Sequence, residues 1–567
     1  MDSLIRSRIE PWMNEPFDQE TQKEVRHLMQ TNPLKLEDAF FSDLSFGTAG
    51  LRGLMGVGTN RMNIYTIRKT TQGLAVYLQE AFPSQSISVC IGFDNRFHSE
   101  QFAQEAASVL SHYGISAYLL KKLRPTPYVS FACRHFHAQA AIMITASHNP
   151  KEYNGYKVYW QDGAQILSPH DQNILACIKA IDGFSAPLKP NPQLIHVIDE
   201  TLDAAYLDAI RPLAHFPTEN HQHGKELQIV YTSFHGTGIT LAPQALKDWG
   251  FSSITYVEKQ VVIDPAFPTV AFPNPEYPEA LKLGIDLLLQ SHGDLLLATD
   301  PDADRLGVVI RHQGQAQILT GNEIASLCTE YLCRLMKKQN AFPPNPAIVT
   351  SVVSSRLMDA ICAAFQVSCI RVLTGFKYIG EKIRNWEQDK SHTFLFGAEE
   401  SYGFLIGTHS RDKDAIVSSC LIAEMALFFK RQGKTLVDIL HEIYQTYGIF
   451  RDAQLSIDFE PSKEGMQALQ NLMSKLRNSP PSQIRGKNVL LFEDYQKGLH
   501  NLPPSNMLLL KLENGIKLII RPSGTEPKVK VYGEIVQSYE KDLASEIEKA
   551  DVTLKTFLQE FHIDALS

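Results

Sequence analysis

Two short stretches of this chain carry residue types that belong together chemically: Thr145-Ala146-Ser147-His148-Asn149-Pro150 and Thr299-Asp300-Pro301-Asp302-Ala303-Asp304-Arg305. The first follows the apolar run Ala140 to Ile144, which reads as a buried strand, and Asn149-Pro150 then turns the chain. Ser147 is thereby left on a loop at the carboxyl end of a strand, where open α/β sheets bind ligands. A loop serine alone usually does no more than bond nearby backbone. The second stretch changes its meaning. Carboxylates at alternate positions face one side of an extended segment, and three of them together call for a divalent cation. Oxygen-only ligands suit Mg²⁺, which keeps open positions for phosphate oxygens. A serine on one strand end and a triple carboxylate on another are the parts of a phosphoserine facing a metal. Arg305 can hold a phosphate oxygen or form a surface ion pair, and His148 can orient the serine or be a plain loop histidine.

Further polar turns follow other strands. Arg521-Pro522-Ser523-Gly524-Thr525-Glu526-Pro527 offers a guanidinium, two hydroxyls and backbone N–H groups around a glycine. That set makes a phosphate cradle or an ordinary Pro/Gly turn. In Gly397-Ala398-Glu399-Glu400-Ser401-Tyr402-Gly403, Glu399 and Ser401 can bind vicinal sugar hydroxyls, or Glu399 can be a structural carboxylate. Thr374-Gly375-Phe376-Lys377 is another polar turn, after a strand around Ile370 to Leu373.

The elements that must position these loops alternate. Strand Ile87 to Gly92 ends at Asp94-Asn95-Arg96 and is followed by a helix from Ser99 to Tyr113, with Ser99 as its N-cap. Strand Glu226 to Tyr231 ends in Thr232-Ser233-Phe234-His235-Gly236-Thr237-Gly238, before a helix from Leu241 to Trp249 and the strand Asp294 to Ala298. Strand Ala347 to Val353, helix Ser355 to Phe365, strand Thr393 to Phe396 and helix Ile416 to Lys430 form a third unit. Such alternation specifies α/β layers. The tail differs: Met507 to Leu512 and Ile516 to Ile520 flank Asn514-Gly515, a hairpin signal, with strand Val529 to Gly533 and a closing helix near Glu540 to Phe557. The expected architecture is three similar mixed-sheet α/β domains and a smaller α+β C-terminal domain, bounded at 1–205, 206–320, 321–450 and 451–567.

The whole chain is consistent with this. Its 567 residues suggest about four domains. A formal charge of −8 argues against non-specific nucleic-acid binding. No apolar run reaches the length of a membrane span, and Met1 to Arg6 lack the apolar core of a signal peptide. The eight cysteines have no zinc spacing and sit mostly in apolar segments, as free thiols of a reducing compartment do. A cytoplasmic protein without membrane or nucleic-acid partners is expected.

Taken together, the stretches at Thr145, Asp300, Gly397 and Arg521, in that order, resemble the α-D-phosphohexomutase superfamily, and within it the phosphoglucomutase/phosphopentomutase branch. The resemblance runs from about Phe46 to Val531, and Tyr153-Asn154-Gly155-Tyr156-Lys157 and Leu373-Thr374-Gly375-Phe376-Lys377 also match. It implies four domains, each giving one loop to a central cleft. Ser147 would carry the phosphoryl group and, with Asp300, Asp302 and Asp304, ligate Mg²⁺. Glu399 and Ser401 would bind sugar hydroxyls near Thr374 and Gly375. Arg521, Ser523, Gly524 and Thr525 would grip the phosphate that is not transferred. Arg52 and Lys157 match residues near the reacting hydroxyl, and Lys413 matches another proposed acid/base lysine. Pro301 and Ala303 stand where the commoner family loop has glycines, as in the phosphopentomutase-like branch. The implied activity is interconversion of sugar 1- and 6-phosphates, glucose first, through a sugar 1,6-bisphosphate. Phosphopentomutase, phosphomannomutase, a bisphosphate synthase and a non-catalytic sugar-phosphate sensor are the alternatives. Neither the sugar nor the oligomeric state follows from the residues.

Overall fold

The structure is a computed structural model that describes residues 3–44, 50–184, 186–460, 463–522 and 528–566. Three α/β domains precede a C-terminal domain. The chain divides into two compact units: Met1–Leu319 with Gly375–Lys390 and Ser401–Lys430, and Thr320–Thr374 with Ser391–Glu400 and Arg431–Ser567.

The first unit holds two sheets. Strands β1 (Leu51–Leu54), β2 (Ser88–Phe93), β3 (Ser116–Leu120), β4 (Ala140–Ile144), β5 (Tyr153–Trp160) and β6 (Ile195–Ile198) lie in the order β1-β5-β4-β2-β3-β6. Strands β7 (Ile229–Thr232), β8 (Ile254–Tyr256), β9 (Leu295–Thr299), β10 (Leu306–His312) and β11 (Gln315–Leu319) follow as β11-β10-β9-β7-β8. In both sheets the first three strands of the parallel set stand with the third in sequence beside the first, and an antiparallel return strand pairs with that third strand; in the first sheet β6 adds a fourth parallel strand beside β3. Each parallel step is made by a helical crossover. β4 and β9 are buried along their whole length, which is why their sequences are continuous apolar runs rather than alternating ones.

The second unit repeats the parallel trio, with β12 (Pro346–Ser351) between β13 (Ser368–Val372) and β14 (Thr393–Glu399), while β15 (Gly403–Ile406) belongs to the first unit. Its tail sheet runs β16-β21-β20-β19-β18-β17, from Ile449–Asp458 (β16), Gln483–Ile484 (β17), Lys487–Asp494 (β18), Leu508–Leu512 (β19), Lys517–Pro522 (β20) and Lys528–Gln537 (β21). The Asn514-Gly515 turn joins β19 to β20 with positive φ at both residues, as a type I′ hairpin requires. The closing helix is Leu543–Leu566.

Three expectations change in detail. The helix starts at Ser99 itself, after His98 in a left-handed conformation, and the Ser99 hydroxyl donates to Asp94 Oδ1 at 2.7 Å instead of capping. β14 continues through Glu399, so that residue belongs to the strand end and not to the loop beyond it. The β10–β11 hairpin around Gln313-Gly314 is not among the expected elements. All eight cysteines are free. Among the described residues no helix is long and apolar enough to cross a membrane.

Candidate phosphoryl-transfer centre

Equivalent positions of the two sheets in the first unit carry Ser147 and the carboxylates. Ser147 follows β4 and Asp300 follows β9, each between a parallel strand and its antiparallel return. Ser147 is buried and adopts φ 54°, a left-handed conformation uncommon for a residue with a Cβ. Its N–H donates to Thr145 Oγ1 at 2.8 Å, which closes the turn. Its Oγ donates to Asp300 Oδ2 at 3.1 Å and lies 3.1 Å from His148 Nδ1.

The carboxylates converge, but by a turn rather than along an extended segment. Ala303 N–H donates to the Asp300 carbonyl, Ala303 has φ 50°, and the N–H groups of Asp304 and Arg305 both reach Asp300 Oδ1 at 3.1 and 2.9 Å. The turn brings one oxygen of each of Asp300, Asp302 and Asp304 within 4.8 Å of the others. The loop after β7 supports it from behind. Thr237 N–H and Oγ1 donate to the Pro301 carbonyl at 2.7 and 2.8 Å. Gly236 must be glycine there, because a Cβ would lie 2.2 Å from Pro301 Cα.

All three carboxylates are buried. Burial and its two like-charged neighbours push Asp300 well above the usual carboxylate range. Burial works the same way on Asp302 and Asp304, but Lys157 and, for Asp304, Lys413 overcome it and hold both below that range. Lys157 Nζ donates to Asp302 Oδ2 at 2.8 Å and to Asp304 Oδ2 at 3.2 Å. Lys413 Nζ lies 3.2 Å from Asp304 Oδ2 and 3.2 Å from Asp412 Oδ1. Lys157 reaches the carboxylates from β5, where it faces Met143 of β4. Burial disfavours its charge, yet Asp302, Asp304 and Asp412 raise its pKa above the ordinary lysine value.

Two oxygens remain over: among the described residues Asp302 Oδ1 and Asp304 Oδ1 are buried with no hydrogen-bond partner. Buried polar atoms are normally paired. Orphaned oxygens of two carboxylates, beside a third carboxylate bonded to a serine hydroxyl, fit a hard divalent cation that takes oxygen ligands.

The other expected residues are placed as follows. Arg52 donates to Asn149 Oδ1 at 2.8 Å and so touches the serine loop. Arg305 forms an ion pair with Glu276 at 2.6 Å. Ser401 is half-buried, and Gly375, at φ 121°, precedes the helix Phe376–Asp389. In the second unit Glu399 is buried at the end of β14, Thr374 Oγ1 is buried with no hydrogen-bond partner among the described residues, and Arg521 lies near the end of β20. Ser523, Gly524 and Thr525 lie outside the described residues, as do residues 45–49.

Sequence reasoning missed two contributors. Thr126 donates its hydroxyl to Asp302 Oδ2 at 2.7 Å and its N–H to the Asp302 carbonyl at 2.8 Å. Arg96, at the end of β2, holds the serine loop through its carbonyls. The signal available for Arg96 was topological: β2 and β4 are neighbours, so the turns that follow them must meet.

Known proteins show the same layout. The family models for phosphoglucomutase/phosphomannomutase α/β/α domains I, II and III match residues 43–184, 204–314 and 320–447. A phosphoglucomutase of Staphylococcus haemolyticus is 38% identical over 513 residues, covering 88% of this chain and 91% of that protein. A Thermus thermophilus structure described as a phosphomannomutase matches with a TM-score of 0.68 at 22% identity, covering 92% of this chain and 99% of the other. The Paramecium parafusin structure, a phosphoglucomutase, matches with a TM-score of 0.67 at 17% identity over 92% and 96%. At these identities the structural likeness is one of fold.

Proposed function

Because this chain belongs to the phosphoglucomutase/phosphomannomutase family and is a phosphohexomutase, an isomerase, we propose that it interconverts glucose 1-phosphate and glucose 6-phosphate through phosphorylated Ser147 and a bound glucose 1,6-bisphosphate. The observation that carries the reading is the Ser147 hydroxyl, 3.1 Å from Asp300 Oδ2 at the edge of a carboxylate cluster in which two oxygens have no hydrogen-bond partner among the described residues.

In this proposal Asp300, Asp302, Asp304 and an oxygen of phosphorylated Ser147 would hold Mg²⁺, which would supply neutralisation of charge on the transferring group. The bond between Ser147 Oγ and phosphorus breaks as a sugar hydroxyl oxygen bonds to the same phosphorus, and the hydroxyl proton passes to a protein base. The bisphosphate then returns its other phosphoryl group to Ser147, which leaves the isomeric monophosphate. Such transfer rests on positioning and electrostatic stabilisation. His148, 3.1 Å from the serine oxygen, is placed to donate to a phosphoryl oxygen. Lys157 and Lys413 both reach Asp304 and are the candidates for moving the hydroxyl proton. Arg52 sits on the serine loop, and Arg305 is assigned to the substrate phosphate. Glu399, Ser401, Thr374 and Gly375 are assigned to sugar hydroxyls. Arg521, Ser523, Gly524 and Thr525 are assigned to the phosphate that stays in place.

A coupled assay with Mg²⁺ and a trace of glucose 1,6-bisphosphate, comparing glucose, mannose and ribose 1-phosphates, tests this. Conversion of glucose 1-phosphate above the others, lost in Ser147→Ala, is expected. Ribose or mannose 1-phosphate as the best substrate would reassign the sugar. No conversion by phosphorylated enzyme would sink the mutase reading in favour of a bisphosphate synthase.

A further inference from the structure

We propose that Arg96 is a positioning residue for phosphoryl transfer: it fixes the Ser147 loop through four backbone carbonyls and thereby sets where the serine oxygen stands. The inference rests on the reading of Ser147 as the phosphoryl carrier.

Arg96 is buried at the end of β2, whose last residue, Phe93, pairs with Ile144, the last residue of β4. The turn after β2 therefore lies against the serine loop. The guanidinium spends both terminal nitrogens on that loop. Nη2 donates to the carbonyls of Ser147 at 2.6 Å and Asn149 at 2.5 Å. Nη1 donates to those of Pro150 at 2.8 Å and Tyr153 at 3.0 Å. Four carbonyl oxygens that converge without a cation would repel one another, so the arginine is what allows this loop to close. The group is itself held. Its Nε lies 3.3 Å from Asp94 Oδ2, its backbone N–H donates to Asp94 Oδ1 at 2.9 Å, and the ring of Phe267 packs 5.2 Å from its guanidinium carbon.

Two facts make the contact more than general packing. The carbonyl gripped at 2.6 Å belongs to Ser147 itself, and Ser147 is held at φ 54°. A left-handed conformation in a residue with a Cβ persists only where its surroundings over-determine it. Lysine cannot replace the fork: its single ammonium presents three donors from one point, whereas four acceptors here are served by two nitrogens in a plane. The same turn also fixes the loop to the second sheet, because Asn95 Nδ2 donates to the carbonyls of His235 at 2.9 Å and Asp264 at 3.1 Å. The turn thus joins the loop that carries the serine to the module that carries Asp300.

The test uses full-length Arg96→Lys and Arg96→Ala, with wild type first shown to take label at Ser147 from glucose 1,6-bisphosphate. If wild type takes none, the carrier reading fails and Arg96 is not at issue. If it does, kcat for Arg96→Lys is expected to fall about 100-fold with KM within about threefold, because an ångström of misplacement at the reacting atom costs that much rate. The phosphorylated variant should also lose its phosphoryl group to water, relative to sugar, about tenfold more often. Guanidinium ion at millimolar concentration should restore Arg96→Ala at least about tenfold where ammonium does not, since only the planar fork serves the carbonyls. A kcat for Arg96→Lys within threefold of wild type would overturn the proposal. So would a loss that appears wholly in KM, or a folded Arg96→Ala that guanidinium leaves unchanged. Should Arg96→Ala not fold, the KM–kcat split and the partition to water in Arg96→Lys decide alone.

Discussion

Two buried charge clusters in this protein use the same residue types and end differently. In the second unit, Glu534 on β21 is fully met. Its Oε1 accepts from Ser355 Oγ at 2.8 Å and Arg356 N–H at 2.7 Å, and its Oε2 accepts from Arg356 Nε with Lys517 Nζ 3.4 Å away. Burial opposes its charge, yet Lys517 and Arg356 hold its carboxyl down at about 2. In the first unit, two lysines meet Asp302 and Asp304 but not Asp300, two carboxylate oxygens have no hydrogen-bond partner among the described residues, and Asp300 is pushed up. Both clusters are buried. What separates a fastener from a site is whether the charges and hydrogen bonds close. A cluster that closes holds elements together; one that does not close has been left open for something else to complete it.

The contrast can be broken by the same change, carboxylate to amide, made in both places. The largest effect is expected from Asp300→Asn: mutase activity falls on the order of 10³-fold, while the melting temperature of metal-free protein holds or rises, because the charge removed is one that burial and two neighbouring carboxylates oppose. Stripping wild type with a chelator should mimic the loss and added Mg²⁺ should reverse it, read by kcat. Next in size, Glu534→Gln should cost about 3–5 kcal/mol in urea unfolding, because Lys517 and Arg356 are left beside an uncharged group. An Asp300→Asn that unfolds while Glu534→Gln stays stable would erase the distinction.

The clusters should also answer pH with opposite signs. Glu534 titrates in the fold at about 2 against an ordinary 4.5, so its stabilisation is present above 4.5 and is lost as pH falls through about 2. Asp300 is raised above its ordinary 3.8, so its contribution in metal-free protein is present below 3.8 and is lost as pH rises through the raised value. Unfolding curves against pH for wild type, Glu534→Gln and Asp300→Asn check both, and saturating Mg²⁺ should abolish the Asp300 effect. The smallest change is Ala303→Gly. Relief of the left-handed φ of 50° is worth about 1 kcal/mol, and the added freedom of the unfolded chain offsets much of it. Melting should shift by a few degrees at most, with activity within about threefold.

Residues that announce themselves by type at the end of an apolar run were legible in the sequence. Ser147 after Ala140 to Ile144 and Asp300 after the run that ends at Ala298 are of this kind, and so is the Asn514-Gly515 hairpin. Legibility failed where geometry comes from a partner remote in the chain. Asp302 and Asp304 converge because Asp300 Oδ1 captures two N–H groups in a tight turn, which alternation along an extended segment does not describe. Thr126 reaches Asp302 across 176 positions, and the four partners of Arg96 are carbonyls, which every residue has. Ser99 has the residue type of a cap, but the nearby Asp94 carboxylate takes its hydroxyl. The β10–β11 hairpin escaped because Gln313-Gly314 is a less familiar pair than Asn-Gly, although both residues adopt the required positive φ.

The most direct test of the central claim follows one phosphoryl group. Enzyme with Mg²⁺ is incubated with radiolabelled glucose 1,6-bisphosphate, the modified peptide is mapped by mass spectrometry, and glucose 1-phosphate is then added as a chase. The account predicts a single label on Ser147 that moves to sugar at least as fast as kcat. Label at another residue, or label on Ser147 that the chase does not remove, would contradict it.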